Sequence, residues 1–253
     1  MDAFSLKNKT ILITGASSGI GRSCSVECSR NGADLILIGR NHEELEKTAS
    51  MLSPETKFEI ITEDITQSDR LEGIIAEKVA VLGKISGFIH CAGIEKTLPL
   101  KKHSPQLYHD IFEVNVIAGF EIAKILSLKK YKDETTASFV FISSVAGMVG
   151  EAGKAAYSAS KGAVIAGARS LAMELSRGNI RVNSISPAMV NTPILEKMFN
   201  DIGEEASSEI IKKHPLGIGE PKDVANACIF LLSDAARWVT GTNLVIDGGY
   251  SAQ

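Results

Sequence analysis

Tyr157 and Lys161 stand four residues apart in Tyr157-Ser158-Ala159-Ser160-Lys161. On a helix that is one turn, so a phenol and an ammonium project from the same face. A free tyrosine has a pKa of about 10 and is a poor acid or base at neutral pH. A nearby positive charge favours the phenolate and lowers that value. General acid–base catalysis works best when the pKa nears the working pH. Lys161 is therefore expected to tune Tyr157. Of the four tyrosines, only Tyr157 has a lysine at this spacing. Such a pair also arises by chance, so its surroundings must carry the reading.

Ser143 and Ser144 follow the apolar run Ser138–Ile142, a strand pattern. In doubly wound sheets, ligands bind outside the carboxyl ends of the strands. A serine there can hydrogen-bond a substrate oxygen as charge develops on it. A nucleophilic serine is the rival reading. It needs a histidine base, and neither His90 nor His214 is obviously placed for that role.

A second group of residues can hold an anion. The run Thr10–Thr14 leads into Gly15-Ala16-Ser17-Ser18-Gly19-Ile20-Gly21, and a helix is expected over Ile20–Arg30. Glycines permit a tight turn and let the backbone approach a pyrophosphate. The helix then offers unpaired N–H groups and a positive dipole end. Between the first strand and first helix of a βαβ unit, such a turn signals dinucleotide binding. Gly15, Ser17, Ser18, Gly19, Ile20 and Gly21 are its candidate contacts, and Lys161 gains a second task, binding a ribose hydroxyl. The second strand ends Ile38-Gly39-Arg40-Asn41, with no carboxylate for a ribose 2′-hydroxyl. A guanidinium suits a 2′-phosphate. NADP(H) is expected over NAD(H), unless Arg40 is a surface arginine that merely follows a strand.

The elements that must position these groups alternate. Strand patterns occupy Thr10–Thr14, Ala33–Gly39, Phe58–Ile61, Gly87–Cys91, Ser138–Ile142, Ile180–Ser184 and Asn243–Ile246. Helical patterns occupy Ile20–Arg30, Asp69–Leu82, Ser104–Leu128, Ala155–Ser176 and Lys222–Leu232. Asn41 with Glu44 is a capping signature for one more helix, and Ser104-Pro105 is a natural helix start. Strands separated by helices imply crossovers and a mostly parallel sheet. The expectation is an α/β fold, one domain over 1–253, with seven strands and helices on both faces. The longest irregular stretch, Ser186 to about Pro221, carries Met189, Val190, Ile194, Leu195, Met198, Phe199 and Ile202. It reads as a partly helical substrate lid or as a plain surface excursion.

Composition excludes other classes. The 253 residues carry a net charge of -3 with no basic stripe, which argues against nucleic acid. No apolar run is long enough to span a bilayer, and the opening MDAFSLKNKT lacks signal-peptide sections. A cytoplasmic protein is expected. The four cysteines, Cys24, Cys28, Cys91 and Cys228, form no paired CxxC motif. Cys24 and Cys28 suit small core residues better than a metal site, and no metal is expected.

These residues resemble the short-chain dehydrogenase/reductase family along nearly the whole chain. Its motifs occur in order: Thr14–Gly21, Asp64-Ile65, Ala92-Gly93, Asn115, Ser144, Tyr157 with Lys161, Ser186-Pro187, and Asp247-Gly248-Gly249. Ser144 and Tyr157 are 13 residues apart, the family's usual spacing. The resemblance implies a Rossmann domain in which Asp64 takes the adenine amino group and Ile65 lies beside the ring. It implies that Ala92 and Gly93 lie by the cofactor and that Val190 and Thr192 contact the nicotinamide amide. It also implies that Asn115 helps hold a water linking Lys161 to solvent, completing a proton relay. Two departures stand out: the family's Asn-Asn-Ala-Gly is His90-Cys91-Ala92-Gly93 here, and its Pro-Gly is Pro187-Ala188.

Length, His214-Pro215-Leu216…Gly219-Glu220-Pro221 and the ending Gly241–Gly249 resemble the 3-oxoacyl-[acyl-carrier-protein] reductase type. A 3-oxoacyl thioester is thus the expected substrate and fatty acid biosynthesis the expected setting. Sugars, steroids and small ketones are the alternatives. Lys129, Lys130 and Arg177 are candidates for docking an acyl carrier protein or form a solvated face. The helix Ala155–Ser176 is apolar on more than one stripe, which suggests a partner subunit. The family's common homotetramer fits. Two other classes stay open: a cofactor-binding regulator without catalysis, and a lyase or epimerase that keeps its cofactor bound.

Overall fold

The computed structural model describes residues 3–252, without the side chains of Asp201 and Ile202. Seven strands form one sheet in the order β3-β2-β1-β4-β5-β6-β7. They are β1 Thr10–Thr14, β2 Asp34–Gly39, β3 Phe58–Thr62, β4 Gly87–His90, β5 Ala137–Ile142, β6 Ile180–Pro187 and β7 Asn243–Ile246. Every neighbouring pair is parallel. Between them run α1 Gly19–Arg30, α2 His42–Ala49, α3 Ser68–Leu82, α4 Pro105–Phe112, α5 Ala118–Ser127 and α6 Ala155–Leu175. After β6 come α7 Pro193–Ile202, α8 Glu204–Lys212 and α9 Pro221–Leu232.

The strands are apolar on both faces because both faces are covered. Side chains alternate, so β1 sends Leu12 to one side and Ile11 and Ile13 to the other. Leu12 packs with Ile36, Phe88, Phe139 and Phe141 beneath α3, α5 and α6. Ile11 and Ile13 pack with Leu35, Ile89, Val140 and Ile185 beneath α1, α2 and α9. Fully burying one such side chain is worth about 1.5–3 kcal/mol. Two cores on one sheet hold every strand end in place.

Local signals behave as read. Asn41 accepts the Glu44 N–H at 3.2 Å, and Ser104 accepts the Leu107 N–H at 3.2 Å. The helix expected over Ser104–Leu128 is not continuous, however. A π-helical turn, Glu113–Ile117, separates α4 from α5. The strand expected to end at Ser184 runs on to Pro187, since Ser186 and Pro187 pair with Val245 and Ile246 of β7. The stretch after β6 carries α7 and α8, so it is largely helical.

The strand order fixes where the candidate residues gather. The turn after β1, Arg40 after β2, Asp64 after β3, Ala92 after β4, Ser144 after β5 and Thr192 after β6 all follow carboxyl strand ends. Lys129, Lys130 and Arg177 lie in the connections leading into β5 and β6, at the opposite end of the sheet. Lys130 is already paired with Glu72 at 2.7 Å. These residues lie apart from Ser144 and Tyr157, which follow the carboxyl end of β5 and stand on α6.

Candidate active site

The turn after β1 is built for close approach. Gly15 has φ +68°. A Cβ on Gly21 would fall 2.2 Å from the Gly15 carbonyl oxygen, which no larger residue survives. Ser18 caps α1 with extended backbone, but its hydroxyl makes no capping bond. The first-turn N–H groups therefore remain available to an anion. Arg22 braces the turn from below. Its Nε bonds Thr48 Oγ1 at 3.0 Å and its Nη2 meets Glu44 at 2.6 Å and the Ser17 carbonyl.

Gly15, Ser17, Ser18, Gly19, Ile20 and Gly21 line a groove of about 260 Å³. Arg40, Asp64, Ile65, Ala92, Gly93 and Thr192 complete its lining. The Asp64 carboxylate is oriented by the Thr66 N–H at 3.0 Å and the Thr66 hydroxyl at 2.9 Å. The backbone bond from Thr66 holds its pKa below the usual carboxylate range, with lesser help from Arg40. Val190 is set apart, its side chain buried in the core. Its carbonyl accepts from Thr192 Oγ1 at 3.2 Å. Thr192 also caps α7, which ties that helix to the groove. Cys91 and Ile194 line the same groove, as do Ile94 and Val114, which were not singled out in the sequence.

Catalytic candidates converge beside the groove. Lys161 is buried and donates from Nζ to the Ile142 carbonyl at 2.8 Å. Ser143 Oγ returns a bond to the Lys161 carbonyl at 2.8 Å, lacing β5 to α6. Asn115, fully buried on the π-turn, accepts the Ile94 N–H at 2.8 Å. It donates to the Ile94 carbonyl and to Ser160 Oγ, both at 3.0 Å. Ser160 in turn donates to the Tyr157 carbonyl at 2.7 Å. Both Asn115 amide donors are thus committed to protein. A Cβ on Gly93 would lie 3.3 Å from Asn115 Oδ1 and 3.5 Å from Lys161 Nζ, so Gly93 packs closely against both side chains.

The electrostatics differ from the sequence expectation for Tyr157. Burial pushes its phenol above the ordinary tyrosine range, and Glu95 adds to that rise. Ser144 works against it through a side-chain hydrogen bond, while Glu151 raises it further. Lys161, with Nζ 5.7 Å from the Tyr157 ring centre, is held by Ile142 instead. Desolvation is the largest influence on the phenol and favours its protonated form. Burial lowers Lys161 to about 8, against the pull of Cys91 and Glu95.

Tyr157 and Ser144 share a second cavity of about 70 Å³ with Glu95, Glu151, Lys154, Met189, His214 and Tyr250. His214 stacks on Tyr250 at 4.8 Å and 23°. Its Nδ1 faces the Ile210 carbonyl at 2.9 Å, and its Nε2 accepts the Met189 N–H at 3.4 Å. His214 therefore fastens the segment after β6 and is no base for a nucleophilic serine. Sequence reading passed over Glu95, Glu151 and Lys154. The available signal was charge at Lys154, one helical turn before Tyr157.

The family model described as enoyl-(acyl carrier protein) reductase matches residues 15–251. The 2,5-dichloro-2,5-cyclohexadiene-1,4-diol dehydrogenase of Sphingobium indicum is 35% identical over 250 residues, 98% of each chain. The chain is a short-chain dehydrogenase/reductase. The 3-oxoacyl-[acyl-carrier-protein] reductase FabG of Thermotoga maritima is 33% identical over 96% of this chain and 98% of its own. A short-chain type dehydrogenase/reductase from Mycobacterium ulcerans superposes with a TM-score of 0.91 at 30% identity. That match covers 98% of this chain and 92% of the other.

As a member of this family the protein is an oxidoreductase that works with a nicotinamide dinucleotide. The glycine cradle and the uncapped start of α1 fit the pyrophosphate of that cofactor. This short-chain dehydrogenase/reductase accommodates its departures locally. His90 Nδ1 meets Thr14 Oγ1 at 2.9 Å, and its ring fills space that a Cβ on Gly119 would invade at 2.6 Å. Its Nε2 is buried without a partner among the described residues. Ala188 donates its N–H to the Ile246 carbonyl at 3.2 Å, extending the β6–β7 ladder to the cavity edge. Among the described residues, no helix is long and apolar enough to cross a membrane.

Proposed function

We propose that the protein reduces a substrate carbonyl with NADPH, with Tyr157 as the proton donor. The observation that carries this is that the half-buried Tyr157 shares a cavity with Ser144, where desolvation raises its phenol above the ordinary tyrosine range. Bound NADPH supplies the hydride. Ser144 holds the carbonyl oxygen as negative charge develops on it. Tyr157 protonates that oxygen. Lys161 and Asn115 stand behind the phenol to resupply its proton, and Lys161 near pKa 8 suits that task. Arg40 supports NADP(H) over NAD(H). It lines the groove, and it has no hydrogen bond or ion pair among the described residues. A carboxylate in place of Gly39 would be crowded, because a Cβ there meets Leu45 at 3.2 Å and Ser17 at 3.4 Å. The test is NADPH oxidation by the wild type and by Tyr157→Phe against 3-oxoacyl thioesters, keto sugars, steroids and small ketones.

Two substrate readings have support. The 3-oxoacyl thioester rests on the FabG relative, and a hydroxylated cyclic or small carbonyl compound on the diol dehydrogenase relative. The small, charge-lined cavity favours the second. We read residues 1–253 as one domain and the segment 186–221 as its lid, because α7 and the His214–Tyr250 stack border the two cavities. A homotetramer is supported by the outward stripe of α6, where Ala155, Ala159, Ala166 and Met173 are exposed. Four free thiols favour the cytoplasm.

A further inference from the structure

The lining of the small cavity that holds Tyr157 carries three charges. Lys154 Nζ lies 2.7 Å from Glu151 Oε2 and 3.1 Å from Glu95 Oε1. Its side chain is only 9% exposed. Thr97 Oγ1 donates to Glu95 Oε1 at 3.1 Å. The other oxygen of each carboxylate has no protein partner among the described residues. Both glutamates line the cavity with Ser144 and Tyr157, and both act electrostatically on the Tyr157 phenol.

A buried ion pair contributes little to stability by itself, since desolvation offsets attraction. Two carboxylates sharing the Lys154 ammonium leave this group of three with a net negative charge in the cavity lining. That charge repels a substrate carboxylate and gains nothing from an alkyl chain. The open carboxylate oxygens can only accept hydrogen bonds, so they call for a donor next to the carbonyl, and a hydroxyl supplies one without bringing a charge into the cavity. Lys154 fixes one oxygen of each carboxylate and leaves the second of each free to accept from a ligand in the cavity.

We propose that Glu95, Lys154 and Glu151 select a carbonyl compound bearing hydroxyl groups beside the reacting carbon, with each glutamate accepting one substrate hydroxyl. The substrate class is a small hydroxyketone or polyol, and the triad is a specificity element with no part in proton transfer. The proposal rests on Tyr157 acting as the proton donor of a reductase.

The test measures kcat/KM for NADPH-dependent reduction of matched probes: hydroxyacetone and 2-hydroxycyclohexanone, their deoxy counterparts acetone and cyclohexanone, pyruvate, aminoacetone and an acetoacetyl thioester. The wild type is expected to favour each hydroxyketone over its deoxy counterpart by at least about tenfold, since a site built to bond a hydroxyl rejects the analogue lacking it. Glu95→Gln and Glu151→Gln are each expected to shrink that ratio, with thermal melting reporting whether each variant is folded. A preference for the deoxy ketones, for aminoacetone or for the thioester overturns the proposal. So does an unchanged ratio in both folded variants. The wild-type panel needs no variant, so misfolding of either leaves it decisive. If no probe, and no other carbonyl substrate, is reduced with NADPH or NADH, the reductase reading itself fails.

Discussion

Lys161 holds its ammonium 5.7 Å from the centre of the Tyr157 ring and gives its hydrogen bond to Ile142, not to the phenol. The two groups are thus held apart, each shifted mainly by its own desolvation. Burial keeps Tyr157 protonated, and burial lowers Lys161 to about 8, within reach of neutral pH.

This relationship sets a pH dependence for reduction. Lys161 is charged below about 8 and loses its proton above it. The turnover rate for ketone reduction should hold steady near pH 7 and fall as pH rises past 8. A pH–rate profile under saturating substrate measures it. A rate that stays flat to pH 10 excludes Lys161 from the proton supply.

His90 sets a different pH effect, on stability. Burial, with the Lys161 charge adding to it, lowers His90 from 6.5 to about 3. The unfolded chain therefore binds a proton that the folded chain refuses between those values. Stability is full above 6.5 and falls as pH drops toward 3, by at most about 1.36 kcal/mol per unit. Urea unfolding of the wild type and His90→Asn at pH 7 and pH 5 should show a shallower loss in the variant. Equal losses contradict the assignment.

Asn115 is expected to matter twice. Asn115→Leu removes the side-chain partner of the part-buried Ile94 N–H and carbonyl and costs about 1–3 kcal/mol. It also frees Ser160, which bonds the Tyr157 carbonyl. Unfolding and turnover measured on the same sample should both decline. Loss of stability with unchanged turnover limits Asn115 to a structural clamp.

Arg40→Ser tests cofactor choice. Losing charge-assisted bonds worth about 1.5–3 kcal/mol should raise the KM for NADPH about ten- to a hundredfold, with little effect on NADH. Equal changes for both cofactors remove Arg40 from phosphate recognition.

Much of this architecture was legible because it is written in short-range patterns. Apolar runs such as Thr10–Thr14 had to be buried on both faces, and Asn41 and Ser104 marked helix starts that the structure contains. The π-turn at Asn115 was not legible, since one extra residue per turn barely disturbs helical periodicity. The Tyr157 expectation missed because residue spacing reports proximity to Lys161 but carries no measure of desolvation. Glu95 and Glu151 lie 56 residues apart in sequence, and only the fold brings both onto Lys154.

The most direct test of the account is Tyr157→Phe, compared with wild type for NADPH binding and for carbonyl reduction. NADPH affinity, followed by the cofactor's fluorescence, should be nearly unchanged, because the glycine turn and Arg40 are intact. Turnover should fall by about 10²–10⁴-fold, the usual contribution of a positioned acid. Turnover within a few-fold of wild type contradicts Tyr157 as the proton donor.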